Sequence, residues 1–148
     1  MLKRIADTSA PAAVLLVRLM VGAVFLSEGT QKFLFPAEVG AGRFAKIGLP
    51  SPDLLAPIVG SFEIVCGTLV LLGLLTRLAV IPLIVIMLTA IATTKIPILR
   101  ELGFWKMAHE ARTDWSMLLG SLFLLIVGAG PVSMDASFIK GGRTEADP

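Results

Sequence analysis

Apolar residues fill four long stretches of this chain, and the polar positions that interrupt them recur at helical spacing. The first stretch runs from about Ala12 to Phe35 and stops at Pro36. The second covers about 54–75 and is introduced by Ser51-Pro52, an N-cap residue followed by proline at the first helical position. The third runs from about Leu78 to Ile98, with Pro82 near its start and Pro97 at its end. The fourth covers about 113–130 and is closed by Gly128-Ala129-Gly130-Pro131. At ~1.5 Å per residue the first three can cross a ~30 Å hydrocarbon core, and the fourth does so only marginally. The predicted fold class is all-α, an integral membrane four-helix bundle over 12–131. A cytoplasmic segment 1–11 precedes it and a polar tail 132–148 follows.

Charged residues enter these stretches on chosen faces. Arg18, Glu28 and Lys32 interrupt the first. On a helical wheel Lys32 lies about 40° from Glu28, and Arg18 lies about 80° from Glu28, beyond Lys32 on the same side, so one stripe holds all three. Glu28 before Lys32 is also the favourable i,i+4 order. Glu63 is the acid of the second stretch. Because the first two stretches run antiparallel, Glu63 falls at the depth of Glu28 and Lys32, and Arg18 lies towards the other leaflet. Lys95 and Asp114 approach the same leaflet as Glu63. A lone charge at mid-membrane costs roughly 2.5–3.5 kcal/mol on insertion scales, so such groups face a bundle interior and find partners. Three readings stand open: staples between helices, a polar ligand pocket, and a conducting path. Gly22, Gly29, Gly60 and Gly67, at seven-residue spacing within each stretch, suit close helix packing in any of them.

The connections carry further candidates. Gly73-Leu74-Leu75-Thr76-Arg77 is a tight turn that makes the second and third stretches antiparallel neighbours. In the third loop Ile98, Leu102 and Trp105 recur at helical spacing, which predicts a short helix at the membrane interface beside the alternative of a plain surface loop. His109, Arg112 and Asp114 cluster just before the fourth stretch. They are candidate rim contributors with Lys95, and Thr113 or Asp114 is also a candidate cap. An even number of spans puts both termini on one side. Charge does not orient them: Lys3, Arg4, Arg77, Lys140 and Arg143 make five on one side, and Arg43, Lys46, Arg100, Lys106 and Arg112 make five on the other.

Composition narrows the chemistry. Of 148 residues, 55% are hydrophobic and only 16% charged, with a mean hydropathy of +0.86. A lipid bilayer is therefore the expected surrounding. A formal charge of +2 without a basic run sets nucleic acid aside. One cysteine, Cys66, excludes an internal disulfide or dithiol relay, and one histidine excludes bis-histidine haem and argues against a zinc site. No metal and no covalently bound cofactor is expected. Any electron chemistry then needs a diffusible carrier or a partner protein.

The polar residues and their glycine neighbours also form a recognisable order. Arg18, then Gly22-x-x-Phe25-x-x-x-Gly29-x-x-Lys32, resembles the first span of the DoxX family of small bacterial membrane proteins. Gly60-x-x-Glu63-x-x-x-Gly67, followed by Leu72-Gly73-x-x-Thr76-Arg77, is similar to that family's second span and turn. His109-x-x-Arg112-x-Asp114, and Gly128-x-Gly130-Pro131-x-Ser133-x-Asp135, complete the resemblance. The family is named after a component linked to thiosulfate:quinone oxidoreductase and terminal quinol oxidase. Other members are associated with quinone detoxification, or with membrane complexes that recruit soluble oxidative-stress enzymes.

The resemblance implies a multi-pass protein of the bacterial plasma (inner) membrane. It also implies a redox-associated subunit, quinone-linked or active against oxidative stress, and an accessory oxidoreductase subunit rather than a self-sufficient enzyme. In that reading Arg18, Glu28, Lys32 and Glu63 form a polar site for a quinone-like ligand, with apolar walls around donors to its carbonyl oxygens. The alternatives are a non-catalytic scaffold that recruits soluble redox enzymes and a small transporter or channel built as a homo-oligomer.

Overall fold

The computed structural model describes residues 11–138, and every regular element there is helical. α1 is Val14–Leu34, α2 Ala41–Lys46, α3 Pro52–Leu72 and α4 Thr76–Ala90. A π-helical turn, Ile91–Lys95, leads from α4 into α5, Ile96–Leu102. α6, Phe104–Glu110, and α7, Arg112–Val127, come next, and one more helical turn begins at 134. Of the expected terminal segments, 1–10 and 139–148 lie outside the described residues.

Among the described residues three helices are long and apolar enough to cross a membrane: Val14–Leu34, Pro52–Leu72 and the composite Thr76–Leu102. The expected fourth span, α7, has 16 residues. At ~1.5 Å per residue it is roughly 24 Å long, short of a ~30 Å core. It still packs along α4 and against α1, so the bundle has four walls.

α1 and α3 form the most extensive helix pair, and glycine sets their distance. A Cβ on Gly22 would lie 2.8 Å from the Gly67 carbonyl oxygen, and one on Gly29 would lie 2.6 Å from that of Gly60. Backbone meets backbone at both levels, which fixes the antiparallel register.

Helix ends depart from the sequence expectations in four places. Ser51 stands at the N-cap of α3 in a left-handed conformation (φ 44°), and its side chain caps nothing; the Leu54 and Leu55 amides bond to its carbonyl instead, each at 3.0 Å. Thr113 and Asp114 do not cap α7 either, because that helix already begins at Arg112. Pro97 does not end the third helix. The Ile96 amide reaches back five residues to the Ile91 carbonyl, and this wider turn lets the helix run past the proline to Leu102. Gly103, at φ 83°, then breaks it, so Trp105 belongs to a separate short helix from Ile98 and Leu102. The tail is fixed over its first residues. Asp135 accepts hydrogen bonds from the Leu75 amide at 2.8 Å and the Thr76 amide at 3.2 Å, and so caps α4.

Arg18 closes this end of the bundle. Its Nε donates to the Val70 carbonyl at 2.9 Å and its Nη2 to the Leu71 carbonyl at 2.6 Å. Its Nη1 donates to the Ala129 carbonyl at 3.1 Å and to that of Val132. The end of α3 leaves carbonyls that need outside donors, and the guanidinium fork supplies them while tying down the chain beyond α7. Gly73 makes room: a Cβ there would lie 2.6 Å from Arg18 Cζ. The apolar core, with Val21, Cys66, Val70, Val80, Leu83 and Leu124, fills this half of the bundle, and Phe25 and Met117 stand at its border with the other half.

Two outcomes are expected. Arg18→Lys keeps the charge but cannot serve four carbonyls, so it should cost about 2–5 kcal/mol, read as a lower melting temperature in detergent. Reporter fusions after Pro50 and after Pro148 should report opposite sides of the membrane; matching signals would show that α7 does not cross.

Candidate functional site

In the other half of the bundle the core gives way to a cavity of about 520 Å³. α1 contributes Val24, Phe25, Glu28 and Lys32, and α3 contributes Leu55, Val59 and Glu63, each set stepping along one helical face. α4 and the π turn add Val85, Thr89, Thr94 and Lys95, and α7 adds Thr113, Asp114 and Met117. The first loop covers it: Val39, Ile47 and Leu49 line the cavity together with Arg43 and Phe44 of α2.

Two ion pairs stand in its walls. Lys32 Nζ lies 2.7 Å from Glu63 Oε2, with side chains only 9% and 3% exposed. The approach is that of an ion pair rather than an aligned hydrogen bond. The same Nζ is 4.0 Å from Glu28 Oε2 and 3.4 Å from the Glu28 carbonyl. Glu28 itself is half-exposed. On the opposite wall Lys95 Nζ lies 3.2 Å from Asp114 Oδ2. With Arg43, the lining carries three cations and three carboxylates, so the cavity is polar in places and neutral in sum.

The candidate residues therefore divide. Glu28, Lys32 and Glu63 come together at the cavity, and Lys95 and Asp114 join them from the other wall. Arg18 does not; its helical direction fits the stripe, but its hydrogen bonds lie at the far end of α1. His109 and Arg112 do not line the cavity. Both are exposed, and Arg112 donates to the His109 carbonyl at 2.6 Å, closing the turn between α6 and α7. Beside them, the Lys106 hydrogen bond and charge hold the exposed Glu110 carboxyl below the usual carboxylate range. Cys66 is buried in the dry core, outside the cavity. Arg43, Phe44 and the threonines of the third helix are lining residues that sequence patterning misses. A six-residue helix is too short for periodicity to reveal, and threonine in an apolar helix usually bonds its own backbone.

The sequence profile of the DoxX family matches residues 13–96. The chain belongs to the DoxX family. The matched segment includes Glu28, Lys32, Glu63 and Lys95 as well as Arg18, and ends before Asp114. This DoxX protein is 51% identical over 143 residues to "Uncharacterized membrane protein Rv3486" of Mycobacterium tuberculosis, covering 93% of this chain and 88% of that one. It is 30% identical over 129 residues to "Putative oxidoreductase CatD" of Bacillus subtilis, covering 87% and 89%. No solved structure matches the chain.

Glu63 and Glu28 differ sharply in burial, and that difference is measurable. Glu63→Ala strands a buried ammonium and should cost about 3–5 kcal/mol. Glu28→Ala removes a half-exposed partner at longer range and should cost about 1 kcal/mol or less. Melting temperatures of the two variants in one detergent, or their accumulation in membranes, should rank in that order.

Proposed function

We propose that the cavity binds a quinone-like amphiphile, and that the chain works in the bacterial plasma membrane as a redox-associated subunit that receives or passes on electrons through partners. The observation that carries this is the cavity itself: about 520 Å³ of apolar-walled space holding two ion pairs, inside a membrane protein. Sites for drug-sized ligands run to about 300–1,000 Å³ and combine such walls with a few polar groups. The relative named as an oxidoreductase points in the same direction.

The lining fits a quinone head. A quinone offers carbonyl acceptors on a flat apolar ring, and Lys32, Lys95 and Arg43 are cationic donors set among Phe25, Val59 and Met117. When bound, such a ligand supplies reversible two-electron, two-proton exchange. The chain's own part is to hold the ring, orient its oxygens and exclude bulk water. In this reading Glu28, whose Oε2 stands 4.0 Å from Lys32, is the group that relays protons to and from the ligand. Redox partners remain necessary, since the sequence has one cysteine and one histidine.

Purified protein in lipid nanodiscs should bind a short-chain ubiquinone analogue saturably, seen as an upward thermal shift and as displacement of a fluorescent quinone. Absence of saturable binding would overturn the proposal. Glu28→Gln preserves shape and should still bind, yet cells relying on it should lose protection against quinone stress at normal protein levels. Full protection would remove the proton role of Glu28.

A further inference from the structure

The two lysines of the cavity are not equivalent. Lys32 Nζ has three oxygens around it, at 2.7 Å, 3.4 Å and 4.0 Å, all from α1 and α3. The ion pair to Glu63 and the hydrogen bond to the Glu28 carbonyl turn this ammonium to its own helix pair. Lys95 is as enclosed, with a side chain 10% exposed, but Asp114 Oδ2 at 3.2 Å is its one ion-pair or hydrogen-bond partner among the described residues. The hydroxyls of α4 and the π turn offer no donors to the cavity. Thr94 donates to the Ala90 carbonyl at 2.6 Å and Thr89 to the Val85 carbonyl at 2.9 Å. On that wall Lys95 is the enclosed cation, and an enclosed cation with open donors calls for an acceptor oxygen.

The backbone gives a second, independent reason. Lys95 ends the π turn Ile91–Lys95. A π turn holds one residue more than an α turn, so it rotates the residues after it by about 100° relative to an uninterrupted helix. Here the insertion sets the wall residues Thr94 and Lys95 into the cavity lining opposite Asp114. Continuing the helix past Pro97 explains why a wider turn is tolerated; placing a charged side chain inside the bundle is what it achieves.

We propose that Lys95, held by Asp114, takes the oxygen head group of the cavity's ligand and so determines which ligands enter. Lys32–Glu63 is then the fastener of the α1–α3 wall. The head lies at the α4–α7 side, and the apolar body lies against Val24, Phe25 and Val59. This assignment rests on the quinone reading above and adds to it which residue meets the carbonyl oxygen.

The probe is the same short-chain ubiquinone analogue, with nanodisc-embedded full chain. Lys95→Gln should weaken binding by about tenfold or more, the loss expected for one charge-assisted hydrogen bond. Asp114→Asn removes the charge that holds Lys95 and should weaken binding in the same direction as Lys95→Gln, by less. A photoreactive quinone on the wild type gives a readout that does not depend on either variant folding: its head should label peptides containing Thr94-Lys95 and Thr113-Asp114. Labelling at Glu28, Lys32 or Glu63 instead would overturn the assignment. So would wild-type-like affinity in a folded Lys95→Gln protein, and either result leaves the quinone reading intact. Failure of the wild type to bind the analogue at all removes the quinone reading, and this assignment with it.

Discussion

A single buried guanidinium decides how this bundle closes. Arg18 donates to four backbone carbonyls, two from the end of α3 and two from the chain beyond α7. Helix ends leave carbonyls without backbone partners, and one guanidinium that reaches all four holds the turn and the tail to α1. Gly73 leaves the space for it, and Asp135 from the same tail caps α4 across the turn. The end of the bundle that holds the α3–α4 turn is thereby tied on three sides. Apolar packing fills the adjoining half, with Val21, Val70, Val80, Leu83 and Leu124 at its centre.

Glu28, Lys32, Glu63, Lys95 and Asp114 gather in the other half. There the same four walls surround a cavity, and the glycine contacts at Gly29 and Gly60 hold α1 and α3 close enough for Lys32 to reach Glu63. The α4–α7 wall is joined independently by Lys95 and Asp114. Each pair is internal to one wall, so neither ion pair bridges the space between the walls. A cavity crossed by salt bridges would be closed to a ligand; one with its charges paired along the sides stays open. This division suits a molecule that offers an apolar ring and an acceptor oxygen.

The DoxX profile covers the first two long helices, most of the third and both lysines but not Asp114. The mycobacterial relative extends the similarity over nearly the whole chain, including α7 and the turn beyond it. In physical terms those added parts are not accessory: α7 supplies one carboxylate of the cavity, and the residues after it supply two of the carbonyls and the cap that lock the opposite end.

The sequence by itself determined the helical class, the positions of the long apolar helices and the depth of most charges. These rest on local facts: a period of 3.6 residues, the length needed to cross lipid, and the cost of an unpaired charge there. It also placed Glu28, Lys32 and Glu63 at one level, because antiparallel helices joined by a loop must share depth. It set Arg18 towards the other leaflet as well, and only the tertiary structure showed that Arg18 meets the carbonyls at the end of α3 and beyond α7. A helical wheel reports direction about an axis, and Arg18 shares a direction with Glu28 while lying almost three turns away along it. Likewise Pro97 reads as a stop in sequence, since proline lacks the amide an α-helix needs. The π turn before it removes that conflict, and no local pattern announces such a turn. The cavity belongs wholly to the tertiary structure, because it is the space left where one half of the bundle is packed dry and the other is held apart by its walls and roofed by a loop.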